Sequence, residues 1–214
     1  PFDAWREARD VVRKSPDHLI AKAERLVAQK DPRRIFEFVR DAILTYPSAD
    51  NGFASAVQQQ RWGAQATLRG GAGTPREKAE LLVVLYRQAG FEASVVQGTP
   101  DPERLDGKKV LLRVIERKYD VPFTDEQIER FRLALGDMPT RNVEAIDPDG
   151  AEATALAASL SAQLSDSLEA PFNFELGSIP FVRVKVNGAW VYANPIAPDA
   201  EFGDSVTLGT PLDT

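Results

Sequence analysis

Apolar residues recur every three or four positions through the first third of the chain and every second position near its end. That change of period is the first guide to the fold. Phe2, Trp5, Ala8, Val11 and Val12 keep helical spacing until Ser15-Pro16 breaks the run. Ser15-Pro16-Asp17-His18 opens a second helix through Leu19, Ala23, Leu26 and Val27. Asp31-Pro32 opens a third, with Ile35, Phe36, Val39 and Ile43 on one face. Proline suits a first helical position because the amide it lacks would have no partner there. Pro47 to Gly52 reads as a turn or loop.

A central helix is expected from about Pro75 to Gln88, stopped by Gly90 and followed by a strand over Phe91 to Gln97. A long excursion of helical character follows. Val110, Leu111, Val114 and Ile115 form one short face, and Thr124-Asp125-Glu126-Gln127 is a capping box leading into Ile128, Phe131 and Leu135. A stripe of Leu156, Leu160, Leu164 and Leu168 reads as core or interface. The period then changes. Phe181 to Val186 alternate toward Asn187-Gly188, a strong hairpin signal, and Ala189 to Ala193 return as the partner strand until Asn194-Pro195 stops it. Helices first, then a buried helix with a strand after it, then a hairpin, make an α+β layout. The expected organisation is an N-terminal helical segment over 1–30, a domain over 31–203 with a helical insertion at about 99–177, and a loosely patterned tail over 204–214.

Composition narrows the chemistry. The 214 residues carry 26 basic and 32 acidic side chains, a net charge of −6, with the basic residues (Arg33, Arg34, Lys108, Lys109) scattered among acids. Nucleic acid is therefore not an expected partner. No apolar run reaches the roughly 20 residues that span a bilayer. The absence of cysteine removes disulfides, thiolate metal sites and a cysteine nucleophile, but leaves the compartment open. The compartment stays unassigned, a periplasmic or secreted setting being slightly favoured, and a chain opening on Pro1 is expected to be a processed piece of a larger multidomain protein. Asp147-Pro148-Asp149-Gly150 lacks the ligand spacing of a calcium loop and reads as a turn. No metal and no cofactor are expected.

Two stretches carry more information in combination. The first is Thr67-Leu68-Arg69-Gly70-Gly71-Ala72-Gly73-Thr74, running into Ala79, Leu81, Leu82, Leu85, Arg87 and Gly90, then Val95-Val96-Gln97-Gly98. The second is Ile179 to Val186, Asn187-Gly188, Trp190 and Asn194-Pro195. In order and spacing they resemble the transglutaminase-like superfamily, relatives of the papain-like thiol proteases, over about half the chain; the helix from Asp31 to Tyr46 resembles that family's entry helix. The resemblance implies a papain-like α+β core and a Cys-His-Asp triad. The cysteine is expected at a helix N-terminus, whose partial positive charge favours a thiolate. A histidine would shuttle the proton and an aspartate would orient it.

All three roles are vacant in this chain. Thr74 stands for the cysteine, Ile179 or Phe181 for the histidine, and Asn194 for the aspartate. The one histidine, His18, lies in the N-terminal helical region, where a solvated residue is expected. Thr74-Pro75-Arg76-Glu77 is itself a capping box, which gives Thr74 a structural role worth about 1 kcal/mol. Asn194 is expected to end its strand by hydrogen bonding, and Trp190 and Tyr192 to pack the hairpin. Trp62 is expected either to line a groove or to pack in the core. The resulting expectation is a catalytically inactive transglutaminase-like domain that binds a protein or peptide. Trp62, Gly73, Thr74, Phe181 and Trp190 are its candidate groove residues. The alternative is an amidohydrolase or acyl transferase with a non-cysteine nucleophile such as Thr74.

Overall fold

Several helix starts in this chain are set by capping residues. Asp31 caps the third helix, its Oδ1 accepting the Arg33 and Arg34 amides at 3.0 and 3.1 Å, with Pro32 in the first helical position. Thr124 and Gln127 cap another helix reciprocally, at 3.1 and 3.2 Å. The computed structural model describes residues 2–45, 62–99, 110, 113, 115, 123–135, 155, 158–159, 179–204 and 207–211. In chain order its elements are α1 (Phe2–Val12), α2 (Leu19–Gln29), α3 (Pro32–Ala42), β1 (Leu44–Thr45), α4 (Gly63–Gly70), β2 (Ala72–Gly73) and α5 (Pro75–Gln88). They continue with β3 (Ala93–Thr99), α6 (Asp125–Leu135), β4 (Ile179–Val186), β5 (Ala189–Ala193) and β6 (Thr207–Pro211). This is a mixed α+β chain. The 47–52 loop, Lys108, Lys109, Leu111, Val114, the 147–150 turn and the leucines at 156, 160, 164 and 168 lie outside the described residues.

Contacts divide the chain into two compact units, one made of residues 1–18 and 119–173, the other of residues 19–118 and 174–214. In the first, α1 meets α6, where the Glu7 carboxylate accepts from Arg130 and Gln127. Phe123 and Phe131 stack edge to face at 5.5 Å. The apolar stripe of α1 is not a core face throughout: Phe2 is 80% and Trp5 57% exposed, while Val11 is buried.

In the second unit, four antiparallel strands follow the order β5-β4-β3-β6, and α5 packs on β4 and β3. Leu81, Leu82 and Leu85 of α5 are buried in one core with Val95, Val182, Val184 and Ala193 of the sheet. Ile35, Phe36 and Val39 of α3 join this core, and the Tyr86 hydroxyl reaches back to the Pro32 carbonyl at 3.1 Å. At its far end α5 stops at Gly90, whose φ of +90° suits glycine. The Arg87 guanidinium then donates twice to the Ala93 carbonyl, at 3.0 and 3.1 Å, tying the helix end to the start of β3.

The hairpin forms as its sequence indicates. Asn187 and Gly188 have φ of 51° and 83°, the paired positive values of a type I′ turn, and Val186 faces Ala189 across it. Alternation then separates two faces. Val182, Val184, Ala193, Ala93 and Val95 share one that is buried. On the other, Ile179, Phe181 and Val96 are buried, but Arg183, Lys185 and Trp190 reach solvent. On the outer edge of β5 the Tyr192 carbonyl accepts the Gly203 amide at 2.9 Å.

Two elements go beyond the pattern. Gly63–Gly70 is a helix that the pattern reading leaves unassigned, and it ends on Gly71 with φ of 68°. Residues 207–211 of the tail pair with β3 as a fourth strand.

Gly188→Ala tests the turn. A Cβ there meets nothing within 4 Å, so only the left-handed backbone opposes it. The variant is expected to lose about 1 kcal/mol in urea unfolding with no change of fold.

Candidate functional site

Thr74 sits at the N-cap of α5 with extended backbone, φ −62° and ψ 163°. Its Oγ1 accepts the Glu77 amide at 3.2 Å, and the Glu77 Oε2 accepts the Thr74 amide at 3.0 Å, completing the capping box. The carboxylate does more than its motif requires. Its other oxygen, Oε1, accepts the backbone amides of Trp62 and Gly63, the latter at 2.9 Å, at the N-terminus of α4. One buried side chain therefore caps two helices. Both helix ends carry partial positive charge, and bonds to a charged acceptor are the strong class. Thr74 and Glu77 are both fully buried.

The glycines fit around this junction. The Gly71 carbonyl accepts the Leu44 amide at 2.9 Å, and β1 runs parallel to β2 with Thr45 opposite Gly73. A Cβ on Gly73 would lie 2.6 Å from Thr67 Cγ2, 2.8 Å from Thr67 Oγ1 and 3.2 Å from Glu77 Cβ. Thr67 is itself fixed, its hydroxyl donating to the Gly63 carbonyl at 3.0 Å. Glycine at 73 is a steric requirement.

The remaining triad positions are apolar or structural. Ile179 and Phe181 are fully buried on the sheet face that becomes polar only at Arg183. Asn194 is buried, its Oδ1 accepting the Ile196 and Ala197 amides at 3.0 and 3.4 Å, so the side chain shapes the turn that ends β5. His18 belongs to the other unit. Of the five candidate groove residues, Gly73, Thr74 and Phe181 are buried, while Trp62 is 62% and Trp190 37% exposed. Trp62 is thus not a core residue. Trp190 carries the Arg183 guanidinium 4.6 Å and the Lys185 ammonium 5.6 Å from its ring centre.

One buried group has no counterpart in the motif reading. Lys78, one turn beyond Thr74, is 2% exposed, and its Nζ lies 3.4 Å from Thr45 Oγ1. Burial is the main cause that brings its pKa from 10.5 down to about 7; Arg113 and Arg40 add to the shift and Asp41 opposes it. Those three groups are linked. Asp41 accepts from Arg40 at 2.7 and 2.8 Å and from Arg113 at 2.9 Å, and the two guanidiniums also reach the Ala200 and Arg40 carbonyls. Burial works against the Asp41 carboxylate, but the hydrogen bonds from Arg40 and Arg113 prevail and hold its pKa below the ordinary value. No local pattern in the sequence marks Lys78; it is the burial of α5 along most of its length, from Pro75 to Tyr86, that leaves a lysine in its first turns little route to solvent.

No protein-family model matches this chain, and no curated protein does.

Two variants probe the junction. Glu77→Ala leaves the Trp62, Gly63 and Thr74 amides without their carboxylate, at about 1–3 kcal/mol for each buried amide left unpaired. The domain is expected to be unfolded or severely destabilised in chemical unfolding, and a loss below about 1 kcal/mol would contradict the double cap. Gly73→Ala is expected to cost about 1–3 kcal/mol by overpacking. Thr67→Ala, which removes the two nearest atoms, should make the added methyl less costly; the double-mutant cycle measures this coupling.

Proposed function

We propose that this chain is a catalytically inactive transglutaminase-like domain that serves as a protein- or peptide-binding scaffold. The observation that carries the reading is the state of Thr74. Its hydroxyl is fully buried and accepts a backbone hydrogen bond as a helix cap, at the position where the family places an exposed nucleophile. Apolar, fully buried Ile179 and Phe181 at the base position support the same reading. Asn194 adds to it, since its side-chain oxygen is used by the backbone.

A helix N-terminus helps a developing negative charge by at most about 2 kcal/mol. Enzymes lower barriers by about 8 kcal/mol or more. A cap with no imidazole at the base position leaves that gap open. The surface left for a partner is then aromatic and exposed, at Trp62 and at Trp190 with its flanking cations, and does not include the buried Thr74.

A second reading, an acyl transferase or amidohydrolase with Thr74 as nucleophile, has one observation in its favour. Lys78 lies on the same helix one turn away, with a pKa near that of a general base, about 7. Its amine, however, contacts the hydroxyl of Thr45.

The purified domain is expected to neither incorporate an amine into a glutamine peptide nor hydrolyse a peptide library above a buffer blank. Thr74→Ala should change stability by about 1 kcal/mol and change no activity. Turnover by the wild type that a folded Thr74→Ala variant lacks would establish the second reading. For binding, peptides selected on the wild type by phage display should lose at least about tenfold in affinity (1.4 kcal/mol) with Trp62→Ala or Trp190→Ala. Unchanged affinity in both variants would remove the two tryptophans from the binding surface.

A further inference from the structure

An ammonium group has three donors, and Lys78, 2% exposed, directs its nitrogen to one acceptor, Thr45 Oγ1, at 3.4 Å. A buried cation is expected to hold a carboxylate close by. Among the described residues the one carboxylate that acts on it is Asp41, which is committed to two guanidiniums, accepting from Arg40 and Arg113. Three cationic side chains therefore share one carboxylate. The charges acting on the amine are Arg40 and Asp41 from α3 and Arg113 from the segment that follows β3; among the described residues no charged group of α4, β2, β3 or β4 adds to them. Nor does the helix help, since the first turn of α5 carries partial positive charge.

From this arrangement we propose that Lys78 is a proton-operated lock on the junction between β1 and α5. The neutral amine belongs in the dry site and accepts or donates at Thr45. Gaining a proton there places a third cation beside Arg40 and Arg113, and the charged amine is relieved only by moving toward water. Thr45 lies on β1, opposite Gly73 of β2, so that movement loosens the short parallel pair packed against the start of α5.

The lowered pKa of Lys78, about 7 against 10.5, agrees with this geometry. Its sign fixes the pH dependence. A lysine whose folded pKa is depressed binds fewer protons folded than unfolded between those two values. Stability therefore rises with pH through the window from about 7 to 10.5, and the full penalty applies below it.

The decisive comparison is wild type against Lys78→Met, by urea unfolding from pH 6 to pH 10. The folded-to-unfolded ratio of the wild type should rise by about tenfold per pH unit relative to Lys78→Met above pH 7. Amide exchange at residues 44–45, 72–74 and 76–78, corrected for intrinsic rates, should be faster at pH 6 than at pH 8 in the wild type and equal at both in the variant. A pH-independent difference between the proteins, or local exchange that ignores pH, would overturn the lock. Should Lys78→Met fail to fold, the 13Cε shift of Lys78 is followed in the wild type together with amide exchange at residues 44–45, and the two must share one midpoint. A midpoint near 7 supports the proposal, and one near the ordinary lysine value refutes it.

Discussion

Everything at the start of the central helix depends on a single carboxylate receiving hydrogen bonds from two chain segments. Glu77 is out of contact with water, yet its charge is matched by backbone amides of Trp62, Gly63 and Thr74. Those amides belong to two helix N-termini, where backbone donors have no partner within the helix itself. The carboxylate thereby fixes how α4 enters α5. It also fixes why the intervening turn is glycine-rich, since Gly71 must take a left-handed conformation and Gly73 must leave room for Thr67. A residue holding such a junction has little freedom to act as a nucleophile, because Thr74 has backbone and side chain both engaged in the cap.

The same turn of helix treats opposite charges differently. Glu77 lies where the helix dipole favours an anion, and several donors meet it. Lys78, the next residue, has the opposite charge in the same field, with one hydroxyl in reach. Three backbone amides meet the Glu77 carboxylate and one hydroxyl meets the Lys78 amine, so two adjacent buried groups differ in the number and orientation of partners, which with burial set the cost of a charge.

Much of this fold was legible in the sequence because its signals are local. Asp31-Pro32, Thr74-x-x-Glu77, Thr124-x-x-Gln127 and Asn187-Gly188 each name a backbone geometry within four residues, and each forms as read. What was not legible depends on distant partners. β6 has little pattern of its own and exists through pairing with β3. α4 has glycine at both ends and no capping side chain at its own N-terminus; its cap is the Glu77 carboxylate, 14 residues from Gly63. The α1 stripe of Phe2 and Trp5 fits a helix but says nothing of what the face meets. Within the candidate site, the cap was readable and the burial of Thr74 was not. A capping box specifies hydrogen bonds, whereas exposure is decided by every segment that folds over it. Lys78 escaped notice because lysine is ordinarily an outward residue, and only the all-round burial of α5 turns it inward.

The edge of the sheet carries a different implication. Along β5 the backbone groups of Trp190 and Tyr192 face away from β4, and one of these, the Tyr192 carbonyl, is bonded by Gly203. The chain thus returns over its own margin just after the strand ends. An extended segment arriving from solution would find only the outward groups of Trp190 and the Tyr192 amide, too few for a strand to nucleate on. Crowding many copies together should therefore not string them edge to edge along this side, and any lateral assembly would have to use side chains instead of the sheet's own hydrogen-bond ladder.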